Sequence, residues 1–295
     1  MPVRRGAKLI PVEGDGVMWM MRADLVDELL PACRQAISGA AASAVAQTVK
    51  TGPHRTVYRL SLAGGEFYLK HFRVADRKAL LQNLVRPSKA EREWRAAQTL
   101  ARLGLPTFEP VALGRLRRGG LVYDSFLVSR EIPETVPLDQ LVTAELASGA
   151  GSPQSREAAH RQSDLRHRLA VAMGELAARL HRAGVEHADL HAGNVLVRVS
   201  GDDLPALWPI DLDKVRLHRG LSSRRRFENL AFLHQFFAGK STRSDRLRFY
   251  CAYRQEWGRG APPGDIAAAM PSARAEIAAF ERLLSVAAHR GWVRA

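Results

Sequence analysis

The stretch EHADLHAGNVLV, residues 186–197, gathers His187, Asp189, His191 and Asn194 ahead of a short apolar run. Such a set admits three chemistries. His187, Asp189 and His191 could ligate a metal, but alternate residues lack the i, i+4 spacing that puts two ligands on one helix face, and no further ligand cluster accompanies them. Asp and Asn also favour turns on structural grounds alone. The third possibility is a catalytic loop. Further polar residues bear on it: IDLD at 210–213 supplies Asp211 and Asp213, FYLKHF at 67–72 supplies Lys70, and a helical stretch after that strand supplies Glu91 and Glu93. Singly, each would be an ordinary solvated side chain.

The elements that must position these residues follow from periodicity. Residues 1–45 read as an N-terminal extension with a helix around ADLVDELLPACRQAI and no visible chemistry. From 46 the pattern is β: a strand to about Lys50, a turn at Thr51-Gly52-Pro53, a strand TVYRLSL, a Gly64-Gly65 turn and a strand EFYLKHF. A basic helical stretch runs through RKALLQNLV and, after a break at Arg86-Pro87, through a second helix capped by Ser88 and ended by Gly104. Two strands around Gly119-Gly120 complete a small mixed lobe, 46–130. Residues 131–295 form a mostly helical second lobe. It opens on a Gly/Ser/Ala-rich loop within 142–162, followed by a helix whose apolar face is Leu165, Leu169, Ala172, Leu176 and Leu180, stopped by Gly184. VLVRV and ALWPI are two short strands, IDLD follows the second, and about three helices run to the C-terminus.

Composition narrows the function class. With 295 residues, 46% apolar and 25% charged, the chain can bury a sizeable core. No apolar run approaches the ~18 residues of a membrane span, and the N-terminus lacks a signal-peptide core, so a cytoplasmic location is expected. Cys33 and Cys251 are too few for a disulfide framework or a cysteine zinc site. The formal charge of +14 favours a polyanionic partner. Nucleic acid is not expected, because no helix-turn-helix, finger or RNA-recognition pattern is present.

HADLHAGN has the form H-x-D-L-x-x-x-N and resembles the protein-kinase catalytic loop. The resemblance implies an α+β, two-lobed protein-kinase-like fold: an N-lobe of antiparallel sheet plus one helix, and a mostly helical C-lobe. It makes Asp189 the catalytic carboxylate at the acceptor hydroxyl. Asn194 becomes a metal ligand, and so does Asp211, which stands where kinases carry D-F-G. Lys70 falls on the strand whose lysine contacts the nucleotide phosphates, with Glu93 as its acidic partner; Glu91 then faces another side. Gly52 and Arg55 occupy the first hairpin, where they would cover or neutralise phosphates, and 128–131, ending at Glu131, would be the hinge whose backbone receives adenine. The implied cofactors are ATP and Mg²⁺. Departures are visible: no G-x-G-x-x-G, Ala188 for Arg, His191 for Lys, Asp213 for Gly, and no A-P-E. They point away from protein kinases and toward small-molecule kinases of the fold.

Within that branch the chain is similar to the bacterial lipopolysaccharide core kinases, which phosphorylate Kdo or heptose of the inner core. The motifs are YLKHF, LVRPSKAEREWRAAQTLARLGLPT, HADLHAGNVLV, PIDLDKVRL and RRRFENLAFLHQFF. The resemblance favours Kdo over heptose. It implies an anionic glycolipid acceptor and a peripheral place at the inner face of the cytoplasmic membrane; Arg73, Arg77, Lys78, Arg86, Lys89 and Arg224, Arg225, Arg226 are the cations expected to meet that surface. An aminoglycoside- or choline-type kinase would use the same five phosphoryl-transfer positions, and a pseudokinase scaffold is the non-enzymatic alternative.

Overall fold

The computed structural model describes residues 8–39, 45–74, 80, 86–147, 156–237 and 240–259. The chain divides into two units, Met1–Pro133 with Asp211–Lys214, and Glu134–Ile210 with Val215–Ala295. The expected helix over 77–85, apart from Leu80, and the helices expected beyond 259 lie outside the described residues.

The first unit holds β1 (Leu9–Gly14), β2 (Val17–Arg22), α1 (Val26–Ile37), β3 (Ala46–Thr51), β4 (Arg55–Leu62), β5 (Gly65–Arg73), α2 (Lys89–Arg102), β6 (Pro110–Arg118) and β7 (Leu121–Arg130). The strands make one antiparallel sheet in the order β1-β2-β6-β7-β5-β4-β3. Residues 9–37 are therefore not an appended extension. In VMWMMR, Val17, Trp19 and Met21 are buried while Met18 and Met20 are exposed, the period-2 alternation of a strand with one wet face. Trp19 and Met21 share a core with Leu29, Ala32, Cys33 and Ala36 of α1 and with Phe67, Leu69, Phe126 and Val128 of the central strands. A sheet has two faces to cover, and α1 covers one of them. Gly114, opposite Trp19 in the β2–β6 pairing, leaves room for the indole: a Cβ there would lie 2.7 Å from its ring. The helix α2 packs on β5, β6 and β7 and starts at Ser88, whose hydroxyl accepts the Glu91 N–H.

The second unit holds β8 (Val136–Pro137), α3 (Leu138–Ala147), α4 (Arg156–Arg182), β9 (Val185–His187), β10 (Val195–Arg198), β11 (Ala206–Pro209), β12 (Val215–Leu217), α5 (Ser223–Phe237) and α6 (Arg243–Gly258). Helix α3 reaches Ala147 and helix α4 begins at Arg156, both inside the stretch expected to hold a loop; residues 148–155 lie outside the described residues. Leu169, Ala172, Leu176 and Leu180 form the buried face of α4, as their spacing requires. Its packing against α6 is close, since a Cβ on Gly174 would fall 2.4 Å from the Phe249 carbonyl oxygen. Gly184 ends the helical run at φ +73°, and its carbonyl accepts the His218 N–H at 2.9 Å. That turn carries the chain into β9, which pairs with β12, while β10 pairs with β11 and β8. The residues 188–194 thus leave one short ribbon and enter another.

The division between units falls at 133/134 instead of 130/131, and Asp211–Lys214, expected with the helical lobe, belongs with the sheet because α2 packs against it. Replacing Trp19 by Ala is expected to destabilise the first unit by about 3–5 kcal/mol, read as a lowered urea midpoint. An appended segment would leave that midpoint unchanged.

Candidate active site

Alternation along β5 decides where Lys70 goes. Leu69 packs into the α1-side core, and His71 stacks on Phe126 with ring centroids 4.5 Å apart. Lys70, between them, points to the opposite face. There its ammonium donates to Glu93 Oε1 at 2.5 Å and to Asp211 Oδ1 at 2.6 Å. Asp211 Oδ2 accepts from Arg55 Nη1 at 2.8 Å. The Lys70 side chain is 12% exposed and that of Glu93 1%. Burial works against the Lys70 ammonium, but Glu93 and Asp211 outweigh it and raise its pKa. Burial would likewise raise the Asp211 carboxyl, yet Lys70 and Arg55 hold it well below the usual carboxylate range. Glu93 is pushed upward by burial, against the pull of Lys70. Two cations and two carboxylates therefore balance. Asp211 adopts φ +56°, a left-handed conformation uncommon outside glycine and typical of residues that their surroundings hold in place.

Of the two acidic candidates on α2, Glu93 meets Lys70, whereas Glu91 is taken by Arg115 at 3.0 Å and by Arg95. Gly52 closes the β3–β4 hairpin by donating its N–H to Arg55 O at 2.8 Å. Glu131 N–H donates to Glu66 O at 2.9 Å, and its carboxylate accepts from Arg59 and Tyr68. That N–H continues the β5–β7 ladder past Arg130.

In the second unit, hydrogen bonds shape the HADLHAGN loop. Asp189 N–H donates to His187 Nδ1 at 3.3 Å, which leaves Nε2–H to donate to Ile210 O at 3.0 Å and fixes one neutral tautomer. The buried Asn194 donates its amide N–H to Asp189 O at 3.0 Å, which fixes the orientation of its Oδ1, an oxygen donor of the type a hard cation takes, and its own carbonyl accepts from Ile210 N–H. His191 Nδ1 accepts the Gly193 N–H at 3.1 Å and starts the single 3-10 turn Ala192–Asn194. Both imidazoles are thus engaged in shaping the loop, and no cluster of three or more metal-ligating side chains occurs among the described residues. The metal reading of His187, Asp189 and His191 falls on this geometry.

Residues 54–253 match the lipopolysaccharide kinase (Kdo/WaaP) family, more than half of the chain. The chain belongs to this family. It is 34% identical over 175 residues to the 3-deoxy-D-manno-octulosonic acid kinase of Xanthomonas axonopodis pv. citri, covering 57% of this chain and 60% of that one. It is 27% identical over 210 residues to the lipopolysaccharide core heptose(I) kinase WaaP of Pseudomonas aeruginosa, covering 68% and 73%. The match thus spans about 60% of the length of the Kdo kinase relatives. The solved structure of WaaP in complex with acyl carrier protein superposes with a TM-score of 0.55 at 24% identity, over 81% of this chain and 87% of that one. The α+β, protein-kinase-like fold implied by the motifs is the fold of this family member.

Sequence reasoning missed the residues that brace the loop from behind. Asn229 Nδ2 donates to His187 O at 2.6 Å, and its Oδ1 accepts from His181 Nε2 at 2.9 Å; Tyr253 O–H then donates to His181 Nδ1 at 2.9 Å. Asn229 was visible only as one polar residue in an apolar stretch, and His181 only as a helix-end histidine. Burial pushes the His181 imidazole down to about 4, the Asn229 hydrogen bond opposing it. An unfolded histidine takes up its proton near 6.5. The stabilisation is therefore complete above about pH 6.5 and is lost as the pH falls toward 4, by up to about 3 kcal/mol. Urea midpoints of the wild type should drop across that window more steeply than those of His181→Gln; parallel curves would contradict the assignment.

Proposed function

We propose that the protein is an ATP-dependent sugar kinase that phosphorylates Kdo of the lipopolysaccharide inner core, with heptose as the alternative acceptor. The observation that carries this is the Lys70 ammonium held between Glu93 and Asp211, set beside family membership. The higher identity to Kdo kinases than to the heptose kinase supports the choice of sugar.

Lys70 and Arg55 both pair with Asp211. A polyphosphate competes for them, so nucleotide entry would move Lys70 and Arg55 from carboxylate to phosphate oxygens and free Asp211 for a cation. Asp211 and Asn194 offer oxygen donors, the type that magnesium takes. Bound magnesium supplies charge neutralisation on the β- and γ-phosphates. Asp189 orients the acceptor hydroxyl and takes its proton. As the acceptor oxygen bonds to the γ-phosphorus, the bond to the bridging oxygen of ADP breaks, and ADP leaves with the electron pair. Lys70 stays at the phosphates throughout, and Glu93 holds it there; the work is positioning and electrostatics.

The acceptor would present a negatively charged surface, and the net charge of +14 suits it. Among the arginines first considered, Arg224 is paired with Glu228, Arg225 with Glu186, and Arg226 stacks on Trp257 at 4.1 Å. Arg73, Arg86 and Lys89 are the better contacts among the described residues; Arg77 and Lys78 lie outside them.

Kdo-terminated lipid A and its heptosylated form, incubated with ATP and magnesium and read by mass spectrometry, test the assignment. Phosphate is expected on the Kdo acceptor, with turnover lost in Asp189→Asn while ATP binding persists. No transfer to either acceptor would overturn the sugar-kinase reading, and full turnover in Asp189→Asn would overturn the role of that carboxylate.

A further inference from the structure

We propose that Arg92 is a positioning residue that ties α2 to the Asp211–Asp213 segment and sets the geometry in which Asp211 receives its cation. The proposal rests on the reading of Asp211 as a metal ligand.

Arg92 directly precedes Glu93, so consecutive residues of α2 reach the same segment by two routes. Glu93 acts through Lys70 on the Asp211 carboxylate. Arg92 acts directly: Nε donates to the Asp213 carbonyl at 3.1 Å, and Nη2 lies 3.7 Å from the Asp213 carboxylate. Its remaining arm, Nη1, donates to Pro87 O at 2.9 Å, immediately before the Ser88 cap. A planar guanidinium anchored at one corner to the start of its own helix cannot swing, and what its other corner holds is fixed relative to α2. Lysine, a single point of donation on a flexible stem, could reach one of these acceptors but could not span them.

The segment needs such a hold. Asp211 sits at φ +56°, a left-handed conformation that surrounding contacts help to hold. Lys70 and Arg55 grip its carboxylate, and the Arg92 bond to the carbonyl two residues on supplies the second restraint. Asp213, which stands where the kinase pattern has glycine, adds a charge that draws the guanidinium in; its side chain is 17% exposed. When nucleotide takes Lys70 and Arg55 away from Asp211, the Arg92 contact is the one restraint of the three that persists. Arg92 itself has no place in the phosphate contacts, and its side chain is 40% exposed, so removing it should spare the fold.

Two measurements on Arg92→Ala test this. In the ligand-free protein, hydrogen exchange at the amides of 211–214 should quicken about tenfold while protection across 94–102 of α2 is unchanged. Affinity for Mn²⁺–ATP, followed by the manganese resonance signal, should fall roughly tenfold to a hundredfold, as for lost partners of a metal ligand, while affinity for ATP in EDTA changes little. Arg92→Lys should lie between, and Asp213→Asn should show a smaller effect because the carbonyl contact remains. Unchanged exchange at 211–214 would overturn the proposal, as would equal loss of metal-free and metal-bound ATP affinity or loss of α2 protection. A wild type that binds no Mn²⁺–ATP would instead sink the kinase reading and the metal half of this one with it; the exchange result would still decide whether Arg92 holds the segment.

Discussion

A lysine ammonium enclosed by protein must find its counter-charges within the fold, because the desolvation cost of a single buried ion amounts to several kcal/mol. Lys70 meets that constraint with two carboxylates from different parts of the chain, one on α2 and one more than a hundred residues further on. Much of the first unit is explained by the need to bring them there. β5 must be central, so that Lys70 faces a covered surface; α2 must lie across β5–β7, so that Glu93 can reach it; and residues 211–214 must pack on α2 instead of staying with the strands that precede them. The opposite face, where α1 packs, carries the apolar core, with His71 stacked on Phe126 and 3.4 Å from Asp124. One side of the sheet stabilises and the other carries charge.

The second unit solves a different problem with neutral groups. The loop from His187 to Asn194 contains little regular structure, so its backbone must be satisfied by side chains. His187, His191, Asn194 and Asn229 each bond to main-chain atoms of the loop or of Ile210, and His181 and Tyr253 complete the set behind Asn229. A network whose members are paired in one orientation gives the loop a single shape. Histidine suits this role because a neutral imidazole carries one donor and one acceptor, and here each buried ring uses both. The cost is sensitivity to acid, which is the cost of burying any imidazole.

The high net charge looks different once pairing is known. Arg55, Arg92, Arg115, Arg182, Arg224 and Arg225 all contact carboxylates, and Arg130, Arg198 and Arg226 lie over aromatic rings. Many of these arginines are structural. The surplus that can act on a distant anion is a property of the whole surface, and no single run of arginines in the sequence locates it.

How much was legible depended on range. Lys70, Asp189, Asn194 and Asp211 were marked by local motifs, since residue type and spacing within a strand or loop are short-range facts. The strands β3–β7, the Ser88 cap and the apolar face of α4 were equally local. The strand character of VMWMMR was written in its alternation, yet its place beside β6 was not, because pairing between strands separated by some ninety residues leaves no local mark. The partners of Glu131 left no local mark for the same reason: Arg59, Glu66 and Tyr68 lie on strands far from it in the chain. Arg92 and Asn229 were legible only as a charged and a polar residue on helices. The sequence by itself determined which chemistry is available, an ammonium, carboxylates and an amide on elements of known type. Tertiary structure alone decided which of them meet, because burial and pairing are set by the packing of distant segments, and no window of sequence contains both sides of such a contact.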